Sequence, residues 1–485
     1  MKEWSKYQLD IFNFIKNNSD NLIVEALAGS GKTSTAIESL KYIPSNEKNI
    51  FVAFNKKIAE ELKTRVEPHI SVGTLHSIGF KHCIRQFKSS LVSDKMALIY
   101  KKVLGDQKEK NELIYTLTKA VSLCKSCLVD EFNDVDNLLD QFSIDPPDDV
   151  TRDDFINHII FGLNASLNQK TSIDFDDMIY FPVKLGMSLD QYDNVFVDEA
   201  QDLNPSQIEF VFKLIKQSDS SKRKSKNNKN GRCIVFGDMN QAIYLFRAAD
   251  ANSFAKFKDR LKAVCLPLPI TYRCPTSVVR EANALVPTLE PAPMAKQGCV
   301  AWTEYDKMIE KIDLGSYIIS RTNAPLVRTS LKLLKNKIPC IILGRDIGEN
   351  LLSIIKKSRS KNLDKLKIYI DKWKSKEISR LISQRKDASI ILDKAECLEV
   401  LIDGASSMEE LKSNINSLFS TKGSSEMITL GSTHQMKGLE ADNIYILINT
   451  YNESSQEEKN LKYVAITRSK NNLYYVKYPS KKNKS

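Results

Sequence analysis

The chain has 485 residues, 42% of them hydrophobic, which is enough for about three or four domains of ordinary size. Lysine and arginine outnumber aspartate and glutamate by 71 to 60, and the formal net charge of +11 favours an anionic partner. No apolar run reaches the roughly eighteen residues of a membrane-spanning helix, and residues 1–4 lack the apolar core of a signal peptide. We therefore expect a soluble protein that is not exported, and the scattered cysteines are typical of a reducing compartment.

A phosphate-binding loop is predicted near the start of the chain. Residues 22–24 have the composition of a buried strand, residues 34–40 that of a helix, and residues 28–33 between them read AGSGKT. A loop of this kind points backbone N–H groups and a helix N-terminus at phosphate. Lys32 would lie on the β/γ-phosphates of a nucleotide and the Thr33 hydroxyl on Mg²⁺.

The following segment is predicted to be helical and carries no chemical motif. Residues 96–100 and 113–117 show helical periodicity, and sheet-like sequence resumes near residues 173–178. Cys124 and Cys127 form a close pair, but a structural zinc site needs four ligands. We interpret them as reduced, partly buried thiols.

Adjacent carboxylates end the next predicted strand. Asn194–Val197 is apolar enough to be buried, and Asp198 and Glu199 follow it directly. Asp198 would hold Mg²⁺ through water, and Glu199 would orient an attacking water. Two acids at a strand end also occur in solvated turns, a reading that the upstream phosphate loop disfavours. Together the two motifs predict hydrolysis of a nucleoside triphosphate.

The remaining sequence contains a basic loop and a second helical stretch. Residues 220–232, rich in lysine, serine and asparagine, precede a strand over 233–236; contact with nucleic acid is one reading of this loop, and a solvated charge run is the favoured one. Residues 346–424 are rich in lysine and in helix-forming residues, and residues 481–484 form a basic tail.

The order of these motifs resembles superfamily 1 DNA helicases of the UvrD/Rep/PcrA type, with local similarity to the F-box DNA helicases of the same group. The resemblance implies an α/β fold with two RecA-like P-loop motor domains on parallel sheets, each interrupted by a mostly helical insertion. The matching segments are residues 7–8, 28–33, 54–57, 73–77, 198–202, 237–247, 271–273, 433–440 and 463–468. The domains implied are motor domain 1A (1–80 and 171–270), helical insertion 1B (81–170), motor domain 2A (271–345 and 425–479), a reduced 2B-like insertion (346–424) and the tail (480–485).

The same resemblance assigns the nucleotide site. Gln8 would read adenine, Tyr272 would cover its face, Glu440 would contact the ribose and Gln241 would sense the γ-phosphate. Phosphoryl transfer spreads negative charge over the γ-oxygens, so an arginine from the second domain would stabilise it. The implied catalytic residues are Lys32, Asp198, Glu199, Gln241, Arg273 and Arg468, and the implied ATP-binding residues are Gln8, Ala28, Gly29, Ser30, Gly31, Lys32, Thr33, Ser34, Tyr272 and Glu440. Without the family pattern, Arg468 would be read as an arginine on a helix surface.

Single-stranded DNA is held by aromatic rings and positive charge, because every base has a π-face. Phe54 and Phe246 are aromatic candidates for this role, with core packing as their alternative, and His76 has the alternative of a satisfied loop histidine. The implied DNA contacts are Phe54, Asn55, Thr74, His76, Tyr244, Phe246, Thr433 and His434.

The sequence therefore predicts an ATP- and Mg²⁺-dependent helicase or translocase that moves 3′ to 5′ on single-stranded DNA and opens tailed duplexes in replication, recombination or repair. The resemblance implies action in the cytoplasm of a bacterial or phage-infected cell, or in a eukaryotic nucleus. One alternative is a translocase that strips proteins from DNA with little unwinding, and another is a P-loop switch or kinase that does not act on DNA. Ser34, where bacterial relatives often have arginine, and Ala441, where they have an aromatic, depart from the family pattern.

Overall fold

The structure, a computed structural model, describes residues 3–142, 144–147, 149–218, 230–244, 253–383 and 388–479. It consists of two compact units, Met1–Leu27 with Gly31–Pro269, and Ala28–Ser30 with Ile270–Ser485. In the described part of the chain, each helix is too short or too polar to cross a membrane. Most of the predicted basic loop, residues 219–229, and the predicted basic tail lie outside the described residues.

A parallel sheet forms the centre of the first unit. The strands of the first unit are β1 (Leu22–Ala26), β2 (Asn49–Val52), β3 (Ile70–Gly73), β4 (Ser90–Leu91), β5 (Ser172–Ile173), β6 (Asn194–Val197), β7 (Arg232–Gly237) and β8 (Val264–Leu268). Among the described residues, the sheet order is β3-β2-β6-β7-β1-β8, while β4 pairs with β5. The short apolar runs suit strands that are covered on both faces. Because all strands of this sheet are parallel, the segments after β1, β2, β3 and β6 leave from the same edge.

Helices surround this sheet and form a separate layer beside it. They are α1 (Lys6–Asn17), α2 (Lys32–Ser39), α3 (Lys56–Lys63), α4 (Leu75–Phe87), α5 (Lys95–Leu104), α6 (Asn111–Cys127), α7 (Phe132–Gln141), α8 (Arg152–Asn168), α9 (Asp177–Lys184), α10 (Pro205–Leu214) and α11 (Ser253–Leu261). Helices α5 to α8 share one apolar core, which includes Tyr100, Leu117 and Phe155, and it continues into α9. The residues predicted as a helical insertion therefore do form helices.

Helices α4 and α9 approach each other closely at a glycine. A Cβ atom added at Gly79 would lie 1.8 Å from the Met178 carbonyl oxygen and 3.2 Å from the ring of Phe210. Backbone at such a distance cannot move aside as a side chain can, so any larger residue has to separate the helices.

We expect Gly79→Ala to lower the melting temperature of the protein, because overpacking of a tight core costs about 1 to 3 kcal/mol. Thermal unfolding followed by circular dichroism measures the shift. Gly404→Ala is the matched control, since its nearest neighbour is a side-chain methyl of Leu331 at 3.2 Å and its φ is −94°. Equal melting of Gly79→Ala and the wild type would contradict the packing described here.

The second unit is built on another parallel sheet. Its strands are β9 (Ile270–Thr271), β10 (Glu290–Pro291), β11 (Cys299–Glu304), β12 (Tyr317–Ser320), β13 (Cys340–Leu343), β14 (Phe419–Ser420), β15 (Ile428–Ser432), β16 (Ala441–Leu447) and β17 (Ser469–Lys477). Within the described ranges, the order of the sheet is β11-β17-β16-β12-β15-β13-β14, and β9 pairs with β10. Its helices are α12 (Thr276–Ala282), α13 (Tyr305–Lys311), α14 (Ala324–Lys335), α15 (Arg345–Ser358), α16 (Leu363–Ser383), α17 (Ser389–Asp403), α18 (Met408–Leu418), α19 (Thr433–Met436) and α20 (Gln456–Ile466).

The predicted α/β class with two parallel sheets is confirmed by these two units. Helices α15 to α18 fall where a helical insertion was predicted, and their apolar residues pack into the core of the second sheet. Cys124 is buried, Cys127 is half-buried, and neither forms a disulfide with another described residue. The finer boundaries of the four-part domain division stay a prediction.

Candidate functional site

The loop after β1 has the backbone geometry of an anion cradle. Gly29 and Gly31 have φ angles of 72° and 77°, in the left-handed region that favours glycine. Gly31 is the N-cap of α2 and provides no side-chain hydrogen bond to the first turn of this helix. The N–H groups of that first turn, with the positive end of the helix dipole, therefore face the loop.

The side chains around the loop fit a phosphate group and a hard cation. The Ser30 hydroxyl is buried and has no hydrogen-bond partner among the described residues, so a bound phosphate oxygen would satisfy it. The Thr33 hydroxyl donates to Asp198 Oδ2 at 3.3 Å. Hydroxyl and carboxylate oxygens are the ligands that Mg²⁺ prefers, and the cation usually keeps water and phosphate as its other ligands.

Lys32 lies between the two acidic residues that end β6. Its Nζ is 2.5 Å from Glu199 Oε2 and 3.9 Å from Asp198 Oδ1. Burial lowers the pKa of Lys32, but the two carboxylates outweigh it and hold the pKa above its usual value. Burial also raises the pKa of Asp198 to about 6, against the opposing effect of Lys32. The site thus gathers one buried cation and two acids at the edge of the sheet.

Glu199 adopts a backbone conformation that is rare for its residue type. Its φ of 53° lies in the left-handed region, and the residue directly precedes a 3₁₀ turn over Ala200–Asp202. Non-glycine residues in this region carry strain that the surrounding structure must offset, and such residues cluster at functional sites. Here the conformation brings the Glu199 carboxylate to Lys32.

A chain of hydrogen bonds connects Glu199 to Gln241. Gln201 Nε2 donates to Glu199 Oε2 at 2.5 Å, and the Asp238 N–H donates to Gln201 Oε1 at 3.0 Å. Gln241 Nε2 in turn donates to Asp238 Oδ2 at 2.7 Å. Gln201 and Asp238 were not among the predicted site residues, although both lie in matched segments. An acidic residue directly after an apolar predicted strand is the sequence feature that could have identified Asp238.

Gln8 is placed beside the helix that follows the phosphate loop. Its side chain is buried, and Nε2 donates to the Thr35 hydroxyl on α2 at 2.9 Å. Gln8 Oε1 accepts from the Ser5 N–H as part of a capping box at the start of α1. The residue therefore has a structural role in the first unit, and its contact with adenine stays a prediction.

Both predicted arginines of the second unit donate a hydrogen bond to Thr467. Arg273 Nε is 2.5 Å from Glu440 Oε2, and Arg273 Nη1 donates to the Thr467 carbonyl at 3.3 Å. The Arg468 side chain is only 1% exposed, and its Nε donates to the Val464 carbonyl at 2.8 Å. The alternative of a helix-surface arginine is therefore wrong for Arg468, because α20 ends before it and the chain turns into β17.

Four of the predicted DNA contacts of the first unit follow two neighbouring strands. Phe54 comes after β2 and is 41% exposed, which does not fit its alternative as a core residue. Asn55 caps α3 by accepting from the Ile58 N–H, and Thr74 after β3 caps α4. His76 is half-buried, and burial lowers its pKa, so a neutral ring would offer a hydrogen bond rather than a charge.

The other predicted DNA contacts differ in exposure. Tyr244 and His434 are half-buried. Thr433 is fully buried, and its hydroxyl is 2.5 Å from the Tyr451 hydroxyl, so this side chain supports the local structure. Phe246 lies outside the described residues. All of these DNA contacts stay predictions.

Comparison with known proteins agrees with this geometry. The family described as the UvrD/REP helicase N-terminal domain matches residues 8–262, more than half of the chain. The chain belongs to the UvrD/REP helicase family. The predicted family resemblance is thereby confirmed.

Similar UvrD/REP-type proteins come from yeast and bacteria. F-box DNA helicase protein 1 of Schizosaccharomyces pombe is 24% identical over 532 residues, covering 94% of this chain and 55% of that protein. ATP-dependent DNA helicase PcrA of Staphylococcus epidermidis is 26% identical over 312 residues, covering 56% of this chain and 38% of PcrA. PcrA of Staphylococcus aureus is 26% identical over 310 residues, with the same shares. This chain therefore spans about half the length of these relatives, or less.

Proposed function

We propose that this chain is an ATP-dependent DNA helicase or translocase that moves 3′ to 5′ on single-stranded DNA. The observation that carries the proposal is the set of Lys32, Asp198, Glu199 and Gln241 at the sheet edge from which Phe54 also leaves. An ATPase site and a strand-binding surface on one edge allow nucleotide state to reach the strand through short connections. The names of the similar helicases support the same activity.

The roles in hydrolysis follow from the chemistry of the side chains. Lys32 and the first-turn amides of α2 would bind phosphate, and Glu199 would orient the attacking water and accept its proton. Thr33 and Asp198 would hold Mg²⁺, which supplies charge neutralisation at the phosphates when it is bound. Gln241 is joined to Glu199 by hydrogen bonds through Gln201 and Asp238, which suits a sensor of the γ-phosphate.

The family resemblance assigns positive charge and further nucleotide contacts to four more residues. We assign Arg273 and Arg468 to stabilisation of charge that develops on the transferred phosphoryl group. Glu440 would contact the ribose and Tyr272, whose ring is 49% exposed, would cover adenine. The 3′ to 5′ direction and a role in replication, recombination or repair rest on the family resemblance.

The decisive experiment compares ATPase rates with and without single-stranded DNA and, in parallel, the unwinding of 3′-tailed and 5′-tailed duplexes. We expect DNA to raise the ATPase rate severalfold and only the 3′-tailed duplex to be opened. Stimulated hydrolysis with displacement of a bound protein but no unwinding would instead support a protein-stripping translocase. Hydrolysis that does not respond to DNA would contradict the proposal and favour a P-loop switch or kinase.

Phe54→Ala tests the strand-binding surface. We expect it to weaken binding of oligo(dT) about tenfold, since stacking on one aromatic ring contributes about 1 to 3 kcal/mol per base. Its melting temperature and ATPase rate without DNA should stay at wild-type values, because the ring is 41% exposed. Fluorescence anisotropy with labelled oligo(dT) measures the affinity. Unchanged affinity would remove Phe54 from the surface.

A further inference from the structure

A buried ionic network joins the helical layer of the first unit to α9. Lys95 Nζ lies 2.6 Å from Asp177 Oδ2, and Lys125 Nζ lies 2.7 Å from Asp177 Oδ1 and 2.9 Å from Asp174 Oδ2. The four side chains are at most 8% exposed. Two positive and two negative side chains therefore face each other in a space closed to solvent, and Asp176, whose pKa burial raises to about 6, also interacts with Lys125.

Asp177 is the centre of this network. Its two oxygens accept from Lys95 on α5 and Lys125 on α6, and Oδ1 also accepts from the Ser166 hydroxyl on α8 at 2.9 Å. The Asp177 N–H donates to Asp174 Oδ1 at 2.8 Å, which fixes the start of α9. A single carboxylate thus ties three helices of the layer to one helix that packs beside the sheet.

The network also reaches α4, the helix that begins at two of the predicted DNA contacts. Met178, the residue after Asp177, places its carbonyl against Gly79 of α4. Cys83, one turn further along α4, interacts with the same charges. Burial raises the pKa of its thiol to about 12, the charge of Asp177 raises this pKa further, and the charge of Lys95 lowers it. Thr74 caps the start of α4, and His76 lies in its first turn.

Buried charges contribute little net stability to the packing of these helices. Desolvation of buried ions offsets much of their attraction, and apolar or neutral replacements of a complete network often leave proteins equally stable. What a network of this kind can provide is directional contact, because each donor reaches its acceptor in one arrangement only. The ions are therefore better explained by the orientation of α5, α6 and α8 than by stability.

We propose that Asp177 is a positioning residue that fixes the α5–α8 layer relative to α4, so that single-stranded DNA bound at the start of α4 also acts on this layer. The inference rests on the proposed function, because Thr74 and His76 are DNA contacts only under that proposal. Asp177 itself lies too deep to touch a strand. Its effect passes through Met178 and the close contact at Gly79.

A variant that lacks the buried charges tests whether the network sets the orientation of the helices or the stability of the protein. The test variant combines Lys95→Met, Lys125→Met, Asp174→Asn and Asp177→Asn, which removes all four charges and keeps side chains of similar size. The control combines Lys101→Met with Asp106→Asn, because this pair joins α5 only to the loop after it, at 3.0 Å. Melting temperature, ATPase rate without DNA and ATPase rate across an oligo(dT) titration are measured for both.

We expect the neutral variant to keep the wild-type ATPase rate without DNA and to melt within a few degrees of the wild type. The oligo(dT) concentration that gives half-maximal stimulation should rise at least tenfold, and the unwinding rate on a 3′-tailed duplex should fall at least tenfold. The control should match the wild type throughout. A neutral variant with wild-type DNA dependence would overturn the proposal.

Hydrogen exchange of the wild-type protein gives a second test that does not depend on any variant. We expect saturating oligo(dT) to slow amide exchange in α4 and also in the parts of α5, α6 and α8 around Lys95, Lys125 and Ser166. Slowing confined to α4 would overturn the inference while leaving the proposed function intact. Failure of oligo(dT) to stimulate the wild-type ATPase would instead contradict the proposed function itself.

Discussion

Lys32→Ala and Glu199→Gln are each expected to reduce ATP hydrolysis by several orders of magnitude. Lys32 supplies the buried positive charge of the site, and its removal leaves Asp198 and Glu199 without the cation that lies 3.9 Å and 2.5 Å from them. Glu199→Gln keeps the size of the side chain but removes the carboxylate that would orient water. Losses of this size correspond to about 3 kcal/mol or more of transition-state stabilisation.

The two variants should differ in nucleotide binding. Glu199→Gln keeps Lys32 and the loop amides, so it should still bind ATP, whereas Lys32→Ala should weaken binding as well. Steady-state phosphate release and binding of a fluorescent ATP analogue measure the two properties. Lys41→Ala is the control, because Lys41 is exposed and pairs with Glu38, at 2.9 Å. Turnover near the wild-type rate in either test variant would contradict the assignment of this site.

The parts of the fold and site that could be predicted were those encoded by neighbouring residues. The strand before the phosphate loop was visible as a short apolar run bounded by small residues, and β6 as one ending in two acids. Both patterns need only a few consecutive positions, because a strand buried on both faces is apolar throughout.

The parts that could not be predicted depend on residues far apart in the chain. Gln201 and Asp238 are 37 positions apart, and Lys95 and Asp177 are 82 apart. Their meeting is set by strand order and helix packing, which local patterns do not contain. The sequence alone would place Lys95 and Lys125 on the surface, because lysine is almost never fully buried unless a partner of opposite charge is present. Only the fold reveals that partners are present.

Arg468 shows that a prediction from local sequence can fail even between residues a few positions apart. It follows Ala465 by three positions, a spacing that suggests one helix face, yet α20 ends at Ile466 and the side chain turns inward. The buried guanidinium then donates to the Val464 and Leu439 carbonyls. Its predicted role in catalysis and its observed role in packing must therefore be separated by experiment.

Arg273→Ala and Arg468→Ala are both expected to lower kcat at saturating DNA by at least a hundredfold, since an arginine that stabilises phosphoryl-transfer charge contributes about 10³ to 10⁵ in rate. Their melting temperatures should differ. Arg273 is 19% exposed and bonds mainly to Glu440, so its loss should leave stability nearly unchanged. Arg468→Ala removes the donor of a buried carbonyl and opens a cavity, so the protein should melt several degrees lower.

Two further variants decide whether the arginines act on the phosphate. Glu440→Gln breaks the ion pair with Arg273 but keeps the arginine, so we expect a higher KM for ATP with kcat close to wild type. Arg328→Ala, which removes a half-exposed arginine paired with Glu396 at 3.4 Å, should leave both constants unchanged. If Glu440→Gln lowers kcat as far as Arg273→Ala does, the ion pair rather than the guanidinium charge matters, and Arg273 is structural. If Arg468→Ala melts lower but turns over normally at a temperature where it is folded, Arg468 only secures the end of α20, and the proposed catalytic role is left to Arg273 alone.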